Sequence, residues 1–172
     1  ALADRFDAGL FVSAAEAALF KRLVPATAHK IGFYNNGVNA DYFAPGPQHG
    51  NPFGDGERTL VFTGAMDYWP NVDAVTWFAR EVFPALRAEH PALGLCVVGG
   101  NPAPAVRDLA REPGVTVTGR VPDVRPYLNH ALAAIAPMRI ARGVQNKVLE
   151  GMAMARPVLV SRKGLEGIEA GD

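Results

Sequence analysis

Scarcity narrows what this 172-residue chain can be. It has one cysteine, Cys96, set inside the apolar run 93–98 (LGLCVV), so neither a disulfide framework nor a cysteine-based metal site is available. The histidines, His29, His49, His90 and His130, are too scattered for a metal-binding spacing. No apolar run approaches the roughly 18 residues of a membrane-spanning helix. The opening ALADRFDAGLFVS lacks the three zones of a signal peptide. These absences lead to the expectation of a cytoplasmic protein. An excess of either charge is missing too, since 17 Lys and Arg balance 17 Asp and Glu. With no long-range field to attract nucleic acid or an anionic membrane, any anion site has to be local. No G-x-G-x-x-G follows any apolar run, which removes the fingerprint of a dinucleotide-dependent dehydrogenase.

What is present is globular: 49% hydrophobic and 20% charged residues are enough for a buried core. The length admits one domain, or one domain with a fragment of another. Short apolar runs alternate with helical patterns, the signature of an α/β layered fold with a parallel sheet. Strands are expected at 8–12, 30–34, 59–63, 93–98, 115–118, 133–137 and 158–161, and helices at 13–23, 71–89, 105–111, 123–130 and 143–155. Ser13 with Glu16 fits a capping box, each side chain satisfying a free N–H of the first turn. Asp123 reads as the cap of the helix it opens, and Asp67 as a capping acid in a turn. In helix 71–89, Val72, Val75, Ala79, Val82, Phe83 and Leu86 share a face. Pro84 removes a backbone donor there and predicts a kink or an early end.

Residues 45–57 (PGPQHGNPFGDGE) are rich in Pro and Gly and read as a linker or long surface loop. They divide a βαβ-like head, residues 1–44, from a second domain over 58–172. Gly64, Gly99, Gly100 and Gly119 stand at the C-terminal ends of expected strands, where open α/β sheets bind ligands. Taken singly, each also does no more than permit a tight turn. Trp77 and Phe78 belong to the core, as do Met152 and Met154, whose flexible side chains fill gaps.

The densest chemistry lies in 139–160, RIARGVQNKVLEGMAMARPVLV. A glycine turn at Gly143 opens an amphipathic helix, exposing free N–H groups and the positive end of the helix dipole to an anion such as a diphosphate. Lys147 adds a full charge. Glu150, one turn on, is a carboxylate able to accept from sugar hydroxyls. Phosphate site and hydroxyl acceptor on one helix read as a nucleotide-sugar pocket. The plainer alternatives are a solvated lysine and a solvated or ion-paired glutamate. Tyr68 and Trp69 either stack on a base or sugar or cover a loop.

The order of these segments resembles the second half of a two-domain GT-B glycosyltransferase of the group-1 family, family 4 of the retaining enzymes. NNGVNADYFAP is similar to that family's N-G-V-D-x-x-x-F-x-P segment between domains, with Asn39 in place of Asp. LVFTGAMDYWPNVDAV, LGLCVVGG and VTVTGRVPDVRPYL resemble successive strand-turn-helix units of the nucleotide-binding domain. GVQNKVLEGMAMARPVLVS resembles the signature helix, which usually ends L-E-A-M-A-x-G-x-P-V-V. Pro137, Arg139, Gly143, Lys147, Leu149, Glu150, Met152 and Ala153 also match the pattern of transferases from bacterial exopolysaccharide and exosortase-associated operons.

The resemblance implies a Rossmann-like parallel sheet with helices on both faces, the donor-binding domain of a GT-B fold, in incomplete form. It implies transfer of a sugar, with retention, from a nucleotide diphosphate sugar to a glycan or lipid-linked acceptor in polysaccharide synthesis. It assigns the ribose to Glu150 and the base to Arg120 and Val121. Two departures matter. The first of the family's two signature glutamates falls on Arg142, and AMDYWPN (65–71) lacks the Arg and Lys that usually grip the diphosphate after the first strand. Lys147, Arg139 and Arg142, with Gly143, Val144 and Gln145 at the helix start, are therefore expected to hold the diphosphate. No metal or cofactor is implied, nor any nucleic-acid partner, and no catalytic residue is assigned.

The resemblance also implies a piece of a larger enzyme, inactive alone, with exposed cut edges that invite self-association. Peripheral association at the inner face of the cytoplasmic membrane stays open. Two other functions stay open as well: a GT-B nucleotide-sugar epimerase and a non-catalytic nucleotide-sugar-binding module.

Overall fold

The computed structural model describes residues 2–168. Its sheet is organised around β3 (Arg58–Thr63), whose Leu60 and Phe62 point to one face and Val61 to the other, none more than 3% exposed. A strand apolar on both faces must be covered on both. β3 is flanked in parallel by β4 (Leu93–Val98) and β6 (Ala133–Ala136); β5 (Val115–Gly119) and β7 (Val158–Val160) complete the order β5-β4-β3-β6-β7. On one face Phe62, Leu95, Val97 and Ile135 pack with Val75, Phe78, Phe83, Val106 and Leu109. On the other, Val61, Cys96, Val98 and Ala134 meet Leu128, Ala131 and Met154. Burial of each large side chain contributes roughly 1.5–3 kcal/mol. It also pushes the Cys96 thiol up to about 12, so this cysteine is an inert core residue.

The first core face is covered by α2 (Trp69–Trp77), a π-helical turn over Phe78–Val82, and α3 (Phe83–Glu89). Pro84 neither ends this helix nor leaves it regular. It cannot donate to the carbonyl four residues back and its ring crowds that group. The chain widens by one residue just before it, so that Phe83 N–H reaches Phe78 O, and then continues. α4 (Pro104–Arg107) continues as a 3-10 turn to Arg111, and α5 (Arg125–His130) follows β5. α6 (Asn146–Ala153) joins β6 to β7 and begins three residues later than Gly143, which sits in the preceding loop with φ +67.

The head is a two-stranded parallel sheet, β1 (Gly9–Phe11) and β2 (Ile31–Phe33), with α1 (Ala14–Leu23) between them. Only half of the capping box forms. Glu16 N–H donates to Ser13 Oγ at 3.3 Å, but the Glu16 carboxylate accepts from the Ser13 hydroxyl at 3.2 Å instead of turning back to the backbone. Leu10, Leu23 and Phe33 of the head are exposed. Residues 45–57 contain no helix or strand, yet they lie against α5: Gly46 N–H donates to Asn129 Oδ1 at 3.1 Å, and His130 Nε2 is 2.7 Å from His49 O.

Candidate functional site

The strand order makes the site. From β3 the chain steps outward to β4 and β5, then crosses to the other side of β3 as β6, so the connections after β3 and β6 diverge. Open α/β sheets form their binding crevice beyond the strand ends at such a switch point. Here a cleft of about 540 Å³ is lined by the turns after β3, β4 and β5 and by the start of α6. Its floor depends on glycine. Gly64 has φ +153, and a Cβ there would lie 2.7 Å from Asn71 Nδ2; a Cβ at Gly99 would overlap the Gly64 carbonyl oxygen. The β3 and β4 turns are zipped together by Gly64 N–H to Val98 O at 3.1 Å and Met66 N–H to Gly100 O at 3.0 Å.

Lys147 reaches into this floor from α6. Its ammonium donates to Asn71 Oδ1 at 2.8 Å, lies 3.9 Å from Met138 Sδ, and stands 5.1 Å from the centroid of the Phe62 ring. Burial pushes its pKa down to about 8, against the opposing pull of the Glu150 carboxylate. Glu150 is half-buried on the next turn, and burial raises its pKa while Lys147 acts to lower it. The α6 N-terminus has no side-chain cap. Gln145 instead donates back to Gly143 O at 3.3 Å. Val148 N–H is taken by Gln145 O at 2.9 Å, so the helix dipole and the N–H groups ahead of Val148 are what favour an anion at the cleft wall.

Of the residues expected from the sequence, Val144, Gln145, Lys147, Glu150, Arg120 and Val121 line this one cleft. Arg139, Arg142 and Gly143 do not. Arg139 Nε donates to Asp73 Oδ2 at 3.0 Å, with a second contact from Nη2 to Oδ1, and its guanidinium lies 5.5 Å from the Trp77 ring centroid. Arg142 and Gly143 line a separate groove beside Glu16, Leu19 and Phe20 of α1. The expected cluster of three cations at one helix start thus reduces to Lys147, with Arg120 the other cation lining the cleft.

The neighbouring expectations fare differently. Asp67 caps no helix and accepts from Asn101 Nδ2 at 3.2 Å. Asp123 Oδ1 does accept from Arg125 N–H at 2.9 Å, and the same carboxylate grips the Arg125 guanidinium. Tyr68 and Trp69 are exposed and outside the cleft lining. Met154 is fully buried, but Met152 is 48% exposed and fills no gap. Asn71 was not foreseen. A sequence signal for it exists: it shares the spacing of Ala74, Val75 and Phe78, which places an amide on the buried face of α2.

Among the described residues no group of three or more His, Cys, Asp and Glu side chains is gathered to hold a metal ion, and no helix is long and apolar enough to cross a membrane.

The fold has many solved counterparts. The Anabaena HepE protein in complex with UDP and glucose superposes with a TM-score of 0.72 at 16% identity, over 99% of this chain and 49% of that one. A glycosyltransferase from Rickettsia africae gives 0.67 at 16% identity, over 95% and 47%. A UDP-forming α,α-trehalose-phosphate synthase from Burkholderia xenovorans gives 0.68 at 12% identity, over 94% and 48%. This chain spans about half the length of these proteins, and at such identities the likeness is one of fold, the α/β arrangement of GT-B glycosyltransferases. No curated protein sequence matches it significantly. The sequence model of the glycosyl transferases group 1 family does match, over residues 57–172, which takes in the whole five-stranded sheet and its cleft; the chain belongs to that family.

Proposed function

We propose that the cleft is the donor site of a retaining glycosyltransferase that moves a sugar from a nucleoside diphosphate to a glycan or lipid-linked acceptor in polysaccharide synthesis. The observation that carries this reading is the Lys147 ammonium on the cleft floor, beside an uncapped helix N-terminus and one turn from Glu150. A diphosphate placed there meets the cation and the first-turn N–H groups. Glu150 accepts from the ribose hydroxyls, and the base lies toward Arg120 and Val121, in the turn that follows Gly119 (φ +70). As the bond to the sugar breaks, negative charge grows on the departing diphosphate. Fixed donors aimed at that charge stabilise it without reorganising; removing one such donor typically costs about 10²–10³ in rate. The UDP complexes of Anabaena HepE support the class of ligand. Retention and the polysaccharide role rest on the family resemblance. A lipid-linked acceptor would be met at the inner face of the cytoplasmic membrane.

A non-catalytic nucleotide-sugar-binding module is the second reading. Arg142 favours it, since it stands where the family's first signature acid does and faces the groove beside α1 instead of the cleft.

Calorimetric titration with UDP, GDP, ADP and TDP in turn tests the site. One of them is expected to bind saturably and to weaken at least tenfold in Glu150→Ala. Binding of none, or binding unaffected by that substitution, would overturn the donor-site reading. Product analysis with the corresponding nucleotide sugar then separates transfer from epimerisation and from binding alone.

A further inference from the structure

The turn from Ala65 to Asn71 contains no cation, and the charge on the cleft floor comes from the opposite wall. A lysine side chain is a flexible stem ending in a compact charge, so its own helix does not fix where the ammonium sits. We propose that Asn71 is the positioning residue for Lys147: its amide ties the ammonium to the turn after β3, so that the charge faces the diphosphate. This rests on the donor-site reading above.

Three observations carry it. Asn71 is 5% exposed, and both ends of its amide are used: Oδ1 accepts from Lys147 Nζ at 2.8 Å, and Nδ2 donates to Ala65 O at 3.0 Å. The orientation of that amide is dictated by chemistry, because an ammonium can only donate and a carbonyl can only accept. The glycine at 64 leaves the space both side chains need, since a Cβ there would press on Asn71 Nδ2 at 2.7 Å and touch Lys147 Cε at 3.6 Å. One of the three ammonium N–H donors is thereby spent on orientation, and the thioether and ring nearby are weak partners. Donors remain for a ligand.

An asparagine is the residue type this task requires. Aspartate would offer only acceptors, repelling Ala65 O and cancelling the lysine charge that a diphosphate seeks. Leucine would leave the half-buried ammonium with only the Met138 thioether and the Phe62 ring, both weak partners.

The test is the titration of Lys147 itself, followed by NMR of ε-labelled lysine in the 172-residue chain and assigned by comparison with Lys147→Arg. The wild-type midpoint is expected near 8. Asn71→Asp should raise it by at least one pH unit, through the new carboxylate, and Asn71→Leu should lower it, so the two variants move in opposite directions. Both should weaken UDP (or whichever of GDP, ADP and TDP binds) and pyrophosphate at least tenfold, while the matching nucleoside monophosphate loses less than threefold. Asn71→Ser, which cannot span both partners, replaces either variant that fails to fold; it should lower the midpoint and show the same split between diphosphate and monophosphate. A Lys147 midpoint that stays put in the folded variants, or equal losses for mono- and diphosphate, would overturn the proposal. Failure of every nucleotide to bind the wild type would instead remove the donor-site reading, with the Lys147 titration still deciding whether Asn71 holds the ammonium.

Discussion

Burial acts on Lys147 and Glu150 in opposite senses, pushing the lysine pKa down to about 8 and the glutamate pKa up, so that the fold favours the neutral form of each. For Lys147 the unfolded chain holds its proton more tightly than the folded one. Its contribution to stability is therefore present at high pH and lost as pH falls through about 8. An anionic ligand needs the opposite state. Nucleotide affinity is thus predicted to fall as pH rises through about 8, approaching tenfold per unit beyond it, while this group makes the free chain more stable over the same interval. Calorimetric titrations at roughly pH 7, 8 and 9, with thermal melts alongside, check both signs. Lys147→Gln should bind weakly with a flat profile; a flat wild-type profile would remove Lys147 from contact with the diphosphate. That these two residues share one cleft is legible in the sequence, because a lysine and a glutamate one turn apart on a helix project to the same side. Arg139 was misplaced for an equally physical reason: counting cations along the chain does not reveal Asp73, 66 positions away, which holds its guanidinium.

Among the elements, the strands were nearly all readable, because parallel strands buried on two faces are continuous apolar runs bounded by turns. The helix ends were less so. α6 was expected to start at Gly143, but the chain uses that glycine's φ of +67 to approach Glu16 of α1 before the helix begins. The other end of α6 carries a feature visible only in the backbone. Ala155 N–H donates to Met152 O at 2.9 Å and Arg156 N–H to Gly151 O at 3.0 Å, the paired bonds of a Schellman motif, which places Ala155 at φ +52. The related signature pattern has glycine there and alanine at 151; this chain has the two exchanged. Gly151 is needed where it is, since a Cβ would come within 2.9 Å of Ala134 Cβ and 3.0 Å of Val158 Cγ2, lifting α6 off the sheet. At 155 an alanine gains nothing. Relief of the left-handed strain, roughly 1–2 kcal/mol, outweighs the extra chain entropy of glycine, about 0.5–1 kcal/mol. Ala155→Gly should therefore stabilise the protein by about 0.5–1 kcal/mol, read as a higher urea midpoint with an unchanged slope. Destabilisation would mean that the methyl group makes contacts that outweigh the strain.

For the molecule as a whole, the segment between head and domain behaves differently from its composition. A stretch with four glycines and three prolines at 45–57 reads as a tether. Its order comes from contacts that have no period in the sequence. Gly46 N–H and His49 O bond to Asn129 and His130, more than eighty positions away, and Phe53 meets the Tyr127 ring edge-on at 6.0 Å. Just upstream, the Arg125 guanidinium lies 3.9 Å from the Tyr42 ring centroid and donates to Tyr42 O at 3.2 Å. The segment is thus carried on α5, and the head meets the domain at the α6 end, where Asn36 Nδ2 donates to Asn146 Oδ1 at 3.3 Å. Asn129 is the test of this arrangement. It is 8% exposed, and truncation would leave the Gly46 N–H without its partner. Asn129→Ala should cost about 1 kcal/mol, because the part-buried Gly46 N–H loses its hydrogen bond and is only partly resolvated. It should also make 45–57 the first site of cleavage in limited proteolysis followed by mass spectrometry. The cleft is lined by other residues, so nucleotide affinity should stay within about twofold of wild type, less than the 1.4 kcal/mol that a tenfold change represents. If the segment were a free tether, the substitution would change neither the melting temperature nor the cleavage pattern. A loss of nucleotide affinity in step with stability would show instead that α5 and its docked segment hold the cleft open from behind.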